Sequence, residues 1–578
     1  MVDVLTNSDN TQHKSSKKFS RQLDQYPIGS MRWFLLVVVI VSSIVLWYQY
    51  YVPTSVATVV LAHFHMTFKY YVYIIVIANI AGVIAALAGG LADRFGRCNI
   101  VIFGLLIVGL LQLFYIPNVT SAFEFGIGLV AVGLFEGVIL VATPALVRDF
   151  TPQLGRASAM GFWTLGPVAG VLTSSLIGSH FLTGNSTDWQ REFIISGVAG
   201  LVIFIIALLF LKELSPKLRD QLMVSSKDLE LIELRAKGLD TESATKNAFS
   251  QMLKADIIGS AFAISIMLII YYTASGFFTI YFATVFQHHN VRFTTQQANG
   301  IDTWIWAANC IALILFGLLS DLVKVRKPFM LIGAVGGAAT TLVLIDYTLK
   351  PGTSYYTLVT ITSILFAFLG MAYATWMAGF TETVESRNPA LVATGLSLWG
   401  GMLRFVVAIS LILLPVIVSS TNKIVDNQAA QVYVPRALAI EAKYPKLIAI
   451  VEKNQILFNK LSSYKSPGDI PPALISEGIK AAGGGTKGLD NLLAISKIKP
   501  DLEFLQAHQT ALLALQNGSE QSPSQWRNWF WVCFGGILLF IPFIFLMKGR
   551  WSPAAAQRDA DEHQRYVVAE LTKIRSQA

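Results

Sequence analysis

Charge is what this 578-residue chain has least of. Asp, Glu, Lys and Arg make up 14% of it, against 54% hydrophobic residues. A soluble globular domain carries roughly 25% charged residues, so an ordinary soluble enzyme or binding module is excluded. Cysteine is scarcer still. Cys98, Cys310 and Cys533 lie in or beside apolar segments, and an odd, scattered set supplies neither a disulfide framework nor a metal-ligand spacing. They read as small packing residues. No Walker pattern, metal-ligand set or nucleophile triad occurs, so no cofactor and no enzymatic chemistry is expected. No short apolar core with a small-residue cleavage site precedes the first long apolar run, so no cleaved signal peptide is expected either.

What the chain has in quantity is apolar runs of about 20 residues, each able to cross a hydrocarbon core of roughly 30 Å. The first half offers spans at 33–51, 70–91, 100–116, 123–147, 157–181 and 193–211. The second offers 257–286, 298–319, 329–349, 355–380, 391–418 and 529–547. A lipid-facing segment must satisfy its backbone internally, so these runs are predicted to be helices rather than strands. The net charge of +9 fits this reading better than nucleic-acid binding, because Lys and Arg accumulate in cytoplasmic loops. One side carries Lys14, Lys17, Lys18, Arg21, Arg32, Arg94, Arg97, Arg148, Arg156, the basic central loop, Lys324, Arg326, Lys327, Lys548 and Arg550. The other offers isolated charges such as Lys69, Arg191, Arg292 and Lys350. Both termini are therefore expected in the cytoplasm and the chain in the cell membrane.

Seven segments follow: a polar tail (1–32), a six-helix bundle (33–211), a cytoplasmic central loop (212–256), helices seven to eleven (257–418), a polar insert (419–527), the last helix (528–547) and a second tail (548–578). The insert falls on the extracytoplasmic side. It holds Pro467, Pro471, Pro472 and Gly483 to Gly485, and two helix-like stretches, one with Leu447, Val451, Phe458 and Leu461, the other with Leu502, Leu505, Leu512 and Leu515. Such stripes can pack as a small helical cap. A decorated loop and a gating or partner-binding cap both fit a segment of this length.

The halves echo each other. The second span ends in Gly89-Gly90-Leu91-Ala92-Asp93-Arg94-Phe95-Gly96-Arg97, and the eighth in Gly317-Leu318-Leu319-Ser320-Asp321, with Lys324, Arg326 and Lys327 beyond. The fifth begins Gly161-Phe162-Trp163-Thr164-Leu165-Gly166, the eleventh Gly395-Leu396-Ser397-Leu398-Trp399-Gly400. Such matches suggest a parallel internal repeat.

The loop from Gly90 to Arg97 resembles the cytoplasmic signature of the major facilitator superfamily, departing from it at Cys98, where a basic residue is usual. The resemblance implies an all-α membrane protein of that fold: about twelve transmembrane helices in two six-helix halves, with a helical insert between the last two. It also implies a small-molecule transporter working by alternating access. Gly90, Asp93, Arg94, Gly96 and Arg97, with Gly317 and Asp321 in the second half, become a candidate conformational latch. Glycines let the loop turn sharply, Asp93 can accept from a helix N-terminus, and the arginines can add charge-assisted bonds. Gly166-Pro167-Val168-Ala169-Gly170 partly resembles the superfamily's antiporter signature, but Val171 replaces its second Gly, and packing explains the segment as well. Arg148-Asp149-Phe150 with Arg156 resembles a family pattern loosely.

Ionisable residues within spans are functional candidates by default. Glu136 lies near the middle of the fourth span, Arg404 near the middle of the eleventh, and Asp302 toward the outer end of the eighth. The resemblance implies that the first, fourth, seventh and tenth helices line the cavity. A buried carboxyl group takes up protons more readily than a solvated one, so Glu136 is a candidate proton carrier. Arg404 is a candidate for a substrate carboxylate. A structural Arg404–Asp302 ion pair, or Glu136 held in packing, is the plainer alternative. Asn79, Gln49, Asn309, Tyr272 and Trp376 are further substrate-binding candidates; Tyr373, Trp163 and Trp399 add aromatic surface, which more often serves packing. His63, His65, His288 and His289 flank spans, where solvated loops explain them. The expected partners are a small organic solute, protons and the bilayer, with a monomeric carrier. Efflux by proton antiport and a receptor or assembly role for the insert are the rival readings.

Overall fold

The computed structural model describes residues 21–87, 95–150, 156–215, 218, 253–288, 291–385, 392–464, 469–559, 561, 562 and 565. Gly90, Asp93, Arg94, His289 and most of the central loop lie outside the described residues. Long apolar runs fold as helices because only a helix closes its own backbone hydrogen bonds in hydrocarbon. Eleven helical segments among the described residues are long and apolar enough to cross a membrane.

The first half comprises α1 (Ser30–Ser55), short α2 (Ala57–His63), α3 (Phe68–Leu87), α4 (Arg97–Leu110), α5 (Ala122–Asp149), α6 (Arg156–Phe181) and α7 (Asp188–Phe210). Helix α6, 26 residues long, is the twelfth span by position. In the second half the seventh span is α8 (Ala255–Met267) followed by α9 (Ile269–Val285), and α10 (Thr295–Leu322), α11 (Lys327–Thr348), α12 (Tyr355–Glu385) and α13 (Val392–Ile417) follow.

Packing repeats between the halves. In the first, α3 and α4 both pack on α5, α4 packs on α7, and α1 on α6. In the second, α10 and α11 pack on α12, α11 on the last span, and α8 on α13. These are the same pairs of spans shifted by six, which is the internal repeat expected from the sequence. The halves meet where α6 runs along α10 and α3 meets α13. Small residues allow the closest helix approach: a Cβ on Gly137 of α5 would stand 2.1 Å from the Gly82 carbonyl oxygen of α3.

Two irregular turns are stitched together. Pro53 has no N–H, so the Gln49 carbonyl one turn earlier lacks its helical donor. Gln112 lies in a π turn, Leu111–Tyr115, that continues α4, and its Nε2 donates to that carbonyl at 2.6 Å. Gln49 Nε2 donates to the Ser196 carbonyl of α7 at 3.2 Å, and the Ser196 hydroxyl donates to Gln112 Oε1.

The insert is helical. It runs through α14 (Ser419–Asp426), a 3-10 turn at Gln428–Tyr433, α15 (Val434–Lys443), α16 (Pro445–Lys453), α17 (Gln455–Ser462), α18 (Pro472–Ala481) and α19 (Gly485–Lys497). The first leucine-bearing stretch divides at Asn454 into α16 and α17. The second is the beginning of α20 (Lys499–Leu546), 48 residues that continue without a break into the last span. A backbone boundary near residue 527 is therefore absent. The base of the insert is fastened to this helix. The Ser420 N–H donates to Gln525 Oε1 at 2.7 Å, and Trp526 Nε1 donates to Thr421 Oγ1 at 3.2 Å. The insert-bearing end of the bundle is termed the outer end below, and the opposite end, with Arg97 and Arg326, the basic end.

Candidate functional site

Residues from both halves converge in the middle of the bundle. Helix α1 contributes Tyr50 and Tyr51, α3 Asn79, α5 Glu136, α9 Tyr272 and α13 Arg404. Glu136 is 5% exposed, and its Oε1 has no hydrogen-bond partner among the described residues. Arg404 lies within electrostatic range of Glu136, Tyr50 and Tyr272. Tyr50 donates its hydroxyl proton to Asn79 Oδ1 at 2.8 Å, and Asn79 Nδ2 donates to the Ile75 carbonyl at 2.8 Å. The Trp47 and Tyr51 rings stack at 5.6 Å. A buried carboxyl group and an exposed guanidinium, one from each half, thus interact among the phenols of Tyr50 and Tyr272. The guanidinium can bind a carboxylate with paired N–H groups, and the carboxyl group can take up or release a proton.

The remaining sequence candidates stand elsewhere. Gln49 is fully buried within the stitch to Gln112 and Ser196. Asn309 is fully buried, its Nδ2 donating to the Tyr271 hydroxyl at 2.6 Å and to the Phe366 carbonyl at 2.7 Å. Trp376 stacks on Phe380 at 4.8 Å and lies 5.3 Å from Trp399. Their polar or aromatic groups pack within a single half. Asp302 is 3% exposed and forms no ion pair with Arg404 among the described residues.

The latch candidates divide. Gly96 has φ +89°, and a Cβ there would stand 2.8 Å from Glu213 Oε1. Glu213 Oε2 accepts the Arg97 N–H at 2.8 Å and the Cys98 N–H at 3.4 Å, a carboxylate at a helix N-terminus where the dipole favours an anion. A short parallel pairing of β1 (Gln22–Leu23) with β2 (Glu213–Leu214) holds it there. The Arg97 guanidinium pairs with Asp149 at 3.0 Å. In the second half Arg326 bridges Asp321 at 2.5 Å and Glu382 at 3.0 Å, and donates to Ser320 Oγ at 2.7 Å. Each half therefore joins an arginine at the start of its third helix to an acid near the end of its fourth. Gly317 is helical, with open space where a Cβ would lie.

At the outer end the halves are closed on each other. Thr279 Oγ1 donates to the Thr54 carbonyl and Asn299 Nδ2 to the Ser55 carbonyl, both at 2.8 Å. The Thr58 and Thr295 hydroxyls meet, the Phe68 N–H donates to Asp426 Oδ1 at 3.2 Å, and the Phe68 and Phe277 rings meet edge-on at 5.9 Å. Behind this seam lies Glu192, fully buried on α7, which sequence reasoning missed. It directly precedes the apolar run that begins at Phe193, so it reads as a loop residue. Its helical register one turn beyond Asp188 is the signal that would have found it.

The description Major Facilitator Superfamily matches residues 34–294. The niacin transporter NiaP of Acinetobacter baylyi is 32% identical over 130 residues, 21% of this chain and 27% of that protein. The quinolone resistance protein NorB of Staphylococcus aureus is 29% identical over 164 residues, 28% of this chain and 32% of that protein. The chain thus spans about a third or less of the length of the curated relatives it matches. Among solved structures, a bacterial homologue of the human lysosomal transporter Spinster superposes with a TM-score of 0.57 at 15% identity, covering 91% of this chain and 100% of that one. A D-xylose–proton symporter superposes with a TM-score of 0.52 at 16% identity, covering 67% and 90%. At such identities these likenesses speak to the fold alone. The first half of the chain thus matches the description Major Facilitator Superfamily, and the fold of both halves is that of the Spinster homologue and the xylose symporter.

Proposed function

We propose that this carrier moves a small organic anion together with a proton by alternating access, with both termini in the cytoplasm of the cell that bears it in its plasma membrane. The observation that carries the reading is the placement of Glu136 and Arg404, from opposite halves, within electrostatic range of each other. Attraction between charges is strong where water is scarce. An anion bound at Arg404 cancels the positive field that Arg404 exerts at Glu136, so anion and proton favour each other's binding. That is the thermodynamic sign of symport. The phenols of Tyr50, Tyr51 and Tyr272 suit an aromatic or apolar body behind the carboxylate, and the niacin carrier among the relatives supports a carboxylate of that kind.

Glu136→Gln is expected to abolish proton-driven uptake in proteoliposomes while leaving counterflow of unlabelled against labelled substrate. Proton-driven uptake that survives this substitution overturns the proton-carrier role. Drug or metabolite efflux by proton antiport is the second reading. It is favoured by Gly166-Pro167 in α6 and by the quinolone resistance relative. Adding substrate to lightly buffered proteoliposomes separates the two, because symport moves protons with the substrate and antiport against it.

A further inference from the structure

The outer seam is built on a break in the first span. Helix α1 ends at Ser55, and Val59 bonds back to the Val56 carbonyl at 3.0 Å rather than to that of Ser55. The Ser55 carbonyl is thereby free to accept Asn299 Nδ2 from the other half at 2.8 Å. The neighbouring Thr54 carbonyl takes the Thr279 hydroxyl in the same way. The orientation of Ser55 therefore sets part of the closure.

Ser55 Oγ has two acceptors within reach, the Val52 carbonyl at 2.9 Å and Glu192 Oε1 at 2.5 Å. A hydroxyl has one proton to give and two lone pairs to receive with. Both contacts are hydrogen bonds in full only when Glu192 supplies the second proton: Glu192 Oε1–H donates to Ser55 Oγ, and Ser55 Oγ–H donates to Val52. The surroundings agree. Glu192 is fully buried, and the Ser174 hydroxyl lies beside its carboxyl group. The elements packed against α7 are α1, α4 with the turns at 111–118 that continue it, and α6; the titratable group acting on Glu192 from them is Tyr48, and His63 of α2 packs on Trp189 at 5.2 Å, one turn before Glu192. On its own helix Arg191 reaches toward Asp188 at 3.9 Å. An ionised carboxylate there would be a buried charge without a counter-ion, which is costly.

We infer that Glu192 is a second proton-binding site of this carrier, one that governs the outer gate. Its carboxyl group carries a proton while the outer ends are closed. Opening to the outside admits water, the proton leaves Oε1 for solvent, and the carboxylate then claims the Ser55 hydroxyl proton. The Val52 carbonyl keeps the Val56 N–H at 3.3 Å but loses the Ser55 hydroxyl, which loosens the turn that presents the Ser55 carbonyl to Asn299. The site is separate from Glu136. It rests on the alternating-access reading and not on the identity of the cargo.

The test places spin labels at Phe123 and Tyr356, exposed residues near the outer ends of the two halves, and measures their separation in nanodiscs over roughly pH 5 to 9, where buried carboxyl groups titrate. The wild-type ratio of open to closed conformers is expected to rise with pH by up to about tenfold per unit, the limit for one linked proton. Glu192→Gln, whose amide can donate to Ser55 in place of the acid proton, is expected to stay closed and flat across the range. A wild-type slope retained by Glu192→Gln overturns the inference. If that variant fails to fold, Glu192→Asp decides: a shortened acid still titrates but meets Ser55 differently, so an unmoved midpoint overturns it. Asp426→Asn and Asp302→Asn control for two further carboxyl groups toward the outer end and should keep the slope. Glu136→Gln should keep it as well; a slope lost there assigns the response to Glu136 and refutes this proposal. Proton-driven uptake surviving in Glu136→Gln fells the symport reading while leaving the gate result standing.

Discussion

Gln112 donates to the Gln49 carbonyl that Pro53 leaves without a helical partner. A side chain on one span thus replaces a backbone N–H missing from another. Gln112→Leu should lower stability by about 1–3 kcal/mol, the cost of leaving buried polar groups unpaired. Adding Pro53→Ala restores an N–H where the carbonyl needs one. The double variant should therefore lose less than the sum of the singles. Thermal unfolding of the four proteins in one detergent measures this coupling; strict additivity would contradict it.

Gly96 follows the acid of the first signature segment and Gly317 precedes that of the second, and the two have different reasons to be glycine. Gly96 has a positive φ and faces the Glu213 carboxylate, whereas Gly317 is helical with room beside it. Gly96→Ala should cost about 1–3 kcal/mol through backbone strain. Gly317→Ala should be neutral or slightly stabilising, as helix propensity favours Ala by about 1 kcal/mol. Melting temperatures of the two variants check this contrast.

The ion pairs Arg97–Asp149 and Arg326–Glu382 fasten the third and fourth helices of each half at the basic end. Asp149→Asn should cost more than Glu382→Gln. The Asp149 side chain is 7% exposed and that of Glu382 45%, and solvent-exposed pairs contribute roughly 0–1 kcal/mol. Arg326 also keeps Asp321 and Ser320 when Glu382 is neutralised. The measurement is urea or thermal unfolding, in low and high salt.

Asp426 links the insert to the N-terminus of α3. Burial pushes its carboxyl group above the ordinary Asp range, and the Phe68 N–H offsets this only in part. The closed seam therefore binds this proton more tightly than solvent-exposed Asp426 does. Closure gains stability as pH falls through the window just above the ordinary value of about 3.9, and loses it as pH rises through that window. The effect is modest because the group is partly solvated. Asp426→Asn should remove this acid-range component, read as the pH dependence of cross-linking across the outer seam.

The spans, their pairing into two halves and the mid-bundle charges were all legible in the sequence, because each is a matter of hydropathy or of a charge where lipid penalises one. Glu136 and Arg404 announced themselves in this way. Glu192 did not, since an acid at the edge of an apolar run looks like a loop residue until the helix is seen to begin at Asp188. Gln112 was equally silent: nothing in a local pattern tells that a glutamine will serve a carbonyl 63 positions earlier. The pairing of Gln22–Leu23 with Glu213–Leu214 joins segments too short to carry a strand signal. The spans of Gln49, Asn309 and Trp376 were evident, but the direction each side chain faces is set by helix packing.

Helix α20 has a consequence for how the insert can change. A loop absorbs an added residue locally, but a continuous helix passes it on as rotation. One extra residue between Leu515 and Trp526 would turn everything before it by about 100° and advance it by about 1.5 Å. The grip of Gln525 and Trp526 on α14 would then fall out of phase with the rest of the cap. Variation in this region should favour substitutions, or length changes in the turns between α14 and α19, over insertions in the rod. The cap and the membrane anchor are geared to one another, and the pitch of the helix sets the tooth spacing.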